Sequence, residues 1–410
     1  MSYLNYQKKE LFFDSVSISE IAKKYPTPFY LYSESALLSQ YKAFQKTVNQ
    51  FELGEDHLIC FALKANPNPF LLESLFKLGA GADTVSGGEL QRALQCGCDP
   101  QKIVFSGVGK TRQEIEFALG CHELGIYSFN VESIEELDLI NTVAKEMNKM
   151  ARVAIRLNPK VNAKTHKFIS TGYKTHKFGI LKEDILELFT KINSYDSIKL
   201  VGLSIHIGSQ LTDFKATKKA VLEVCKLALH APEPLEFIDF GGGLGVDYKG
   251  RDPEYKLNEY MHSLAEGIYE AELPYHPRVL FEPGRFLSAS AGVFVTKVIR
   301  TKQSDKVFFA IVDGGMNDFV RTSLYEAYHK IIPVVESGEK KVATEIVGPI
   351  CETSDSFASG RKIQKLKADE LIVVCDTGAY GHSMSSTYNL RRRPIELTLT
   401  THSDIVVHEH

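Results

Sequence analysis

Short apolar runs recur along roughly the first 285 residues, and stretches with helical periodicity separate them. The runs are "LICFALKA" (58–65), "GADTVS" (81–86), "KIVFSG" (102–107), "IYSFNV" (126–131), "RVAIRLN" (152–158), "LVGLSIHIG" (200–208), "FIDFGGG" (237–243) and "RVLFEPG" (278–284). They are apolar throughout rather than alternating, the pattern of strands covered on both faces in a parallel sheet. Between them, "KEDILELFTKIN" places Ile185, Leu188, Phe189 and Ile192 on one helix face. Thr111 with Glu114, and Ser133 with Glu136, have the spacing of capping boxes that open helices. Eight strands, each but the last clearly followed by a helix, predict a (β/α)8 TIM barrel. A doubly wound sheet fits less well, because no strand opens onto a G-x-G-x-x-G turn.

Beyond about residue 286 the pattern changes. "GVFVTKVIRTK", "KVFFAIVD", "KVATEIVGPI", "ELIVVCD" and "PIELTLTTHSDIVVHEH" are β-rich, with little helical periodicity between them. The expected organisation is a barrel over 35–285, and a β-rich domain from 286–410 that residues 1–34 join.

Composition narrows the function. Lys plus Arg total 48 against 51 for Asp plus Glu, a formal net charge of -3, which gives no reason to expect a nucleic-acid or membrane partner. No apolar run approaches the ~18 residues needed to span a bilayer. "MSYLNYQKKELFFDSVS" lacks the charged-then-apolar order of a secretory signal. The seven cysteines, Cys60, Cys96, Cys98, Cys121, Cys225, Cys351 and Cys375, are scattered and lack C-x-x-C spacing, which argues against disulfides and zinc. A cytoplasmic enzyme with reduced thiols and no metal is expected.

In a barrel of this kind chemistry collects at the C-terminal ends of the strands. Those ends carry Lys64, Ser86, His206, Ser209, Gln210, the run Gly241, Gly242, Gly243, Leu244, Gly245, then Glu282, Gly284 and Arg285. Singly, each has an ordinary explanation: a solvated lysine, a core histidine, a glycine turn, an ion pair. Jointly they suit a phosphorylated cofactor that carries an aldehyde. Lysine supplies the amine, exposed glycine N–H groups cradle the phosphate, and a carboxylate faces a pyridine nitrogen.

The motifs "ALKAN", "VSGGEL", "HIGSQ", "GGGLG", "EPGR", "RTSLYEAYH", "GPICETSD" and "GAYGHSMSSTYN" span essentially the whole chain. With them the chain resembles the fold-type III pyridoxal-phosphate decarboxylases, which combine an alanine-racemase-like barrel with a β domain. The resemblance implies pyridoxal 5'-phosphate joined to Lys64, His206 packed on its ring, and Glu282 beside the ring nitrogen. It further implies that Ser86, Ser209, Gly241, Gly242, Gly243, Gly284, Arg285 and Tyr380 hold the cofactor. Alanine racemases of this fold typically place an arginine where Glu282 stands, so the glutamate favours decarboxylation.

By the same resemblance, Cys351 is the proton donor and comes with Glu352 from the neighbouring subunit, so a homodimer with shared active sites is expected. The implied substrate is the amino acid meso-diaminopimelate, converted to lysine and carbon dioxide. Arg285 and Arg321 would grip its distal carboxylate and Glu352 its distal ammonium, with Tyr325 and Tyr380 adding hydrogen bonds. The alternatives are another basic amino-acid or carboxynorspermidine decarboxylase of this fold, or a binding homologue without activity. The last usually loses the lysine or the cysteine, and both are present. The segment 164–180, "KTHKFISTGYKTHKFGI", is expected to border the site and act as a lid.

Overall fold

Each of the eight apolar runs forms a strand in the computed structural model, which describes residues 3–408 except 52, 54–55, 162–176, 251 and 253. In chain order they are β1 (His57–Ala62), β2 (Gly81–Thr84), β3 (Ile103–Phe105), β4 (Ser128–Val131), β5 (Ala151–Leu157), β6 (Ile198–Ile205), β7 (Phe237–Asp239) and β8 (Arg278–Phe281). All pairings are parallel and sequential, and β8 hydrogen-bonds to β1, closing the barrel. Its interior is filled by Leu58, Cys60, Val104, Tyr127, Ala154, Val201, Phe237 and Leu280, all buried. The rings of Tyr127 and Phe237 meet at 5.2 Å, so the barrel is a packed core and not a pore.

Several strands end earlier than their apolar runs. Lys64 lies past β1 in a tight turn, Leu63–Ala65, and Ser86 caps the helix Gly87–Gln95, its hydroxyl accepting the Glu89 N–H. The cause is local. Asn68 caps the helix Pro69–Lys77, and the two prolines Pro67 and Pro69 cannot extend a strand ladder. The helix Lys182–Lys191 buries Ile185, Leu188 and Phe189, as its periodicity predicts. Thr111 and Glu114 form a reciprocal capping box. Ser133 and Glu136 make only half of one: Ser133 accepts the Glu136 N–H, but the Glu136 carboxylate turns to the Glu132 N–H (3.2 Å) and Lys110 Nζ (2.7 Å). A buried lysine outcompetes the box because its charge would otherwise be uncompensated.

A second unit comprises residues 1–40, 246–255 and 285–410. Its main sheet runs in the order Ser356–Gln364, Lys341–Val347, Val307–Val312, Gly292–Ser304, Phe29–Ser33, Ile395–Leu399, Ile405–His408. The N-terminal strand Phe29–Ser33 is therefore central, antiparallel to Gly292–Val295 and parallel to Ile395–Leu399. Leu11, Phe13, Phe29, Leu31, Val293, Val295, Val373 and Leu397 pack one core with it.

Candidate active site

At the C-terminal rim of the barrel, the Lys64 Nζ donates to Asp83 Oδ2 at 2.5 Å. Asp83 is fully buried, and its other oxygen, Oδ1, has no hydrogen-bond partner among the described residues. His206 follows β6, and its Nδ1 accepts the Gly208 N–H at 3.2 Å, which leaves the ring proton on Nε2. Burial first, then the charges of Arg156 and Lys64, hold His206 well below the usual imidazole range, so the ring is neutral. Arg156, nearly buried, donates to Glu132 (2.6 Å) and to the His206 carbonyl (3.4 Å).

Glu282 ends β8 inside a ring of polar groups set into apolar strands. Its Oε1 accepts from Asn130 Nδ2 at 3.3 Å and from Ser106 Oγ at 3.4 Å, and Asn130 also donates to Asp239. Burial and the neighbouring carboxylates of Asp239 and Asp83 raise the Glu282 pKa well above the usual carboxylate range, while Lys64 opposes the shift. The two buried carboxyls therefore resist ionising together, and burial also raises the Asp239 pKa.

The glycine run after β7 turns through this rim. A Cβ on Gly242 would overlap the Glu282 carbonyl oxygen. One on Gly243, which has φ +102°, would overlap the Gly208 carbonyl oxygen and press on Leu211 Cδ1 at 2.9 Å. Gly284 similarly leaves room beside Ala62 and Ala65.

In the second unit a separate cluster gathers two arginines among aromatic rings. Arg285 NH1 donates to Tyr248 Oη at 2.7 Å, and its guanidinium lies 4.7 Å from the Tyr380 ring centre. Arg321 is only 6% exposed, lies 5.6 Å from the Tyr248 ring and 5.8 Å from the Tyr325 ring, and pairs with no carboxylate among the described residues. A buried cation left in that state is a prepared anion site, because only a ligand can compensate it. Elsewhere in this unit Cys351 and Glu352 are exposed; the Cys351 thiol stands 3.5 Å from Asn389 Oδ1, and Glu352 accepts from Tyr388 Oη at 2.6 Å.

Residues 35–289 match the family model "Pyridoxal-dependent decarboxylase, pyridoxal binding domain". The curated diaminopimelate decarboxylase of Zymomonas mobilis is 43% identical over 397 residues, covering 96% of this chain and 92% of that one. That of Aquifex aeolicus is 41% identical, with 96% and 92% covered. The chain belongs to the diaminopimelate decarboxylase family. Among solved structures of that family, the M. jannaschii enzyme in co-complex with L-lysine superposes with a TM-score of 0.92 at 35% identity, covering 99% of this chain and 94% of that one. The Helicobacter pylori enzyme complexed with L-lysine gives 0.88 at 39%, with 95% of each covered.

The family's cofactor is pyridoxal phosphate, and the barrel rim fits it on three counts: an amine on Lys64, a glycine run that no side chain could occupy, and a buried carboxyl, Glu282, that makes no ion pair among the described residues. Of the residues expected from the sequence, Lys64, His206, Gly241, Gly242, Gly243, Glu282 and Gly284 belong to this rim. Ser209 is half-buried just beyond β6, and Ser86 is engaged as a helix cap. Arg285, Arg321, Tyr325 and Tyr380 share the second cluster. Asp83, Ser106, Asn130, Arg156, Asp239 and Tyr248 went unpredicted. Asp83, Asn130, Arg156 and Asp239 each interrupt an otherwise apolar strand near its C-terminal end, which is the signal that marks them. The expectation for 164–180 falls mostly outside the described residues.

Proposed function

We propose that the protein removes one carboxylate from meso-diaminopimelate to give L-lysine and carbon dioxide, with pyridoxal 5'-phosphate attached at Lys64. The observation that carries this reading is Arg321: a buried guanidinium with no carboxylate partner among the described residues calls for a substrate that retains a second carboxylate away from the reacting carbon. Ornithine and lysine, as substrates, have only the carboxylate at the reacting carbon. Solved relatives bound to L-lysine support the same reading, since lysine as the product keeps as its one amino-carboxylate the distal one of diaminopimelate.

When bound, the pyridoxal accepts the electron pair that departing carbon dioxide leaves at the α-carbon. The chain's own residues do the rest. Lys64 Nζ gives the attachment point and the Asp83 carboxylate orients it. Backbone N–H groups of Gly242 and Gly243, in the turn that Gly241 opens by donating to Asp239, hold the phosphate with Ser209, Gly284 and Arg285, and Ser86 and Tyr380 complete the cofactor's surroundings. Glu282, ionised against the ring nitrogen, keeps a proton there by opposite charge. The neutral His206 ring offers a face without adding a competing positive charge. Arg285 and Arg321 take the distal carboxylate, with Tyr325 beside them, and Glu352 takes the distal ammonium.

The Cys351 thiol delivers the proton that replaces the lost carboxylate. The family resemblance has Cys351 and Glu352 act from a second copy, in a homodimer with shared sites, and their exposure on the single chain leaves them accessible for that. Among the described residues no helix is long and apolar enough to cross a membrane. The balanced charge and free thiols favour the cytoplasm.

The test is carbon dioxide release from meso-diaminopimelate with and without added pyridoxal phosphate, run beside L-ornithine, L-arginine and L-lysine. Release from diaminopimelate at a kcat/KM at least a hundredfold above the others is expected. Release only from the other amino acids would replace this reading with that of a different basic amino-acid decarboxylase.

A further inference from the structure

His329 lies in the β-rich unit, fully buried, eight residues beyond Arg321. Its Nδ1 stands 2.8 Å from the Cys375 carbonyl oxygen, and a carbonyl oxygen can only accept, so Nδ1 carries the hydrogen. Nε2 is then a lone-pair acceptor, and Arg321 Nε–H points at it from 3.4 Å. The ring is fixed from its sides as well: Tyr248 tilts against it at 4.7 Å and Phe319 meets it edge-on at 4.8 Å. Burial, then the charges of Arg321, Arg285 and Arg361, push the His329 pKa down to about 3, so the acceptor persists at every pH at which the enzyme works.

This arrangement decides which edge of the guanidinium remains for a ligand. A guanidinium can offer a carboxylate either its Nε–H with one NH2 group, or its two NH2 groups. The imidazole occupies the first edge. The paired NH2 edge is left, on a guanidinium whose carbon lies 5.6 and 5.8 Å from the Tyr248 and Tyr325 rings and which feels the like charge of Arg285. We infer that His329 is a positioning residue for substrate specificity: by accepting the Arg321 Nε–H it turns the paired NH2 edge toward the distal carboxylate. The inference rests on the reading that Arg321 binds that carboxylate. His329 itself touches neither substrate nor cofactor, and any buried group of its size would fill the space, so a packing role and a positioning role make different predictions.

The test compares two ligands of the loaded enzyme that differ in one carboxylate, L-lysine and 1,5-diaminopentane, by calorimetric titration. Their affinity ratio isolates carboxylate recognition, and a general loosening of the fold would weaken both alike. Arg321→Met should abolish the preference for lysine. His329→Met should reduce the preference about tenfold, the weight of one hydrogen bond, and leave diaminopentane binding within about twofold. His329→Gln, whose side-chain oxygen can accept from Arg321, should restore most of the preference, and it decides the matter if the methionine variant does not fold. A lost preference in Arg321→Met with an unchanged one in His329→Met, or a preference lost in a folded His329→Gln, would overturn the inference. An unchanged preference in Arg321→Met would instead remove the reading of Arg321 on which it rests.

Discussion

Replacing Glu282 by Gln removes a buried carboxyl whose ionisation the folded chain resists. Glu282 is 6% exposed and has Asp239 and Asp83 as acidic neighbours, and burial is the largest cause of its raised pKa, followed by those two carboxylates. A carboxyl whose pKa is higher folded than unfolded binds more protons in the folded state. Stability therefore falls as pH rises from the unfolded value through the folded one, and stays low above it. Desolvation of an ion costs several kcal/mol, and the hydrogen bonds from Asn130 and Ser106 return part of it, so the net penalty is on the order of 2 kcal/mol. In cofactor-free protein, Glu282→Gln should gain about that much stability at pH 8.5 and little near pH 4.5, measured by urea unfolding at both. The loaded variant should lose about 10²–10³ in kcat, or ~3–4 kcal/mol, because an amide cannot hold a proton at the ring nitrogen by charge. A variant less stable than the parent at pH 8.5, or equally shifted at both pH values, would refute the reasoning. So would an unchanged kcat.

Other expectations are simpler to check. Arg321→Met should raise KM for diaminopimelate about 30- to 1,000-fold, the loss of a charge-assisted bidentate contact, as measured by steady-state carbon dioxide release. Cys351→Ala should reduce kcat by about 10²–10⁴ and leave the melting temperature nearly in place, because the thiol is exposed on the chain. Gly242→Ala should cost about 1–3 kcal/mol and weaken cofactor retention, seen by dialysis and absorbance, because the methyl overlaps the Glu282 carbonyl.

Much of the barrel was legible in the chain because parallel strands covered on both faces must be apolar along their length, and eight such runs are hard to arrange otherwise. Lys64 and the glycines could be found because the barrel rule assigns chemistry to strand ends. Asp83 was hidden for the opposite reason: it lies within "GADTVS", and only the pairing of β1 with β2 brings it to Lys64 from the next strand. The failed half of the Ser133–Glu136 box has the same origin, since the competing Lys110 arrives from a different βα loop. Tyr248 gave no signal, for its partner Arg285 is 37 positions away and nothing local links them. The resemblance carried by the motifs implied a ligand role for Arg321, but its lack of a carboxylate partner among the described residues and its hydrogen bond to His329 are tertiary facts.

The central claim is that one lysine at the barrel rim forms the bond to the cofactor. Borohydride reduction of the loaded enzyme, followed by peptide mapping, tests it most directly. The expected result is a single phosphopyridoxyl group on the peptide carrying Lys64, absent from Lys64→Ala. A label on another residue, or undiminished carbon dioxide release by the Lys64→Ala enzyme, would contradict it.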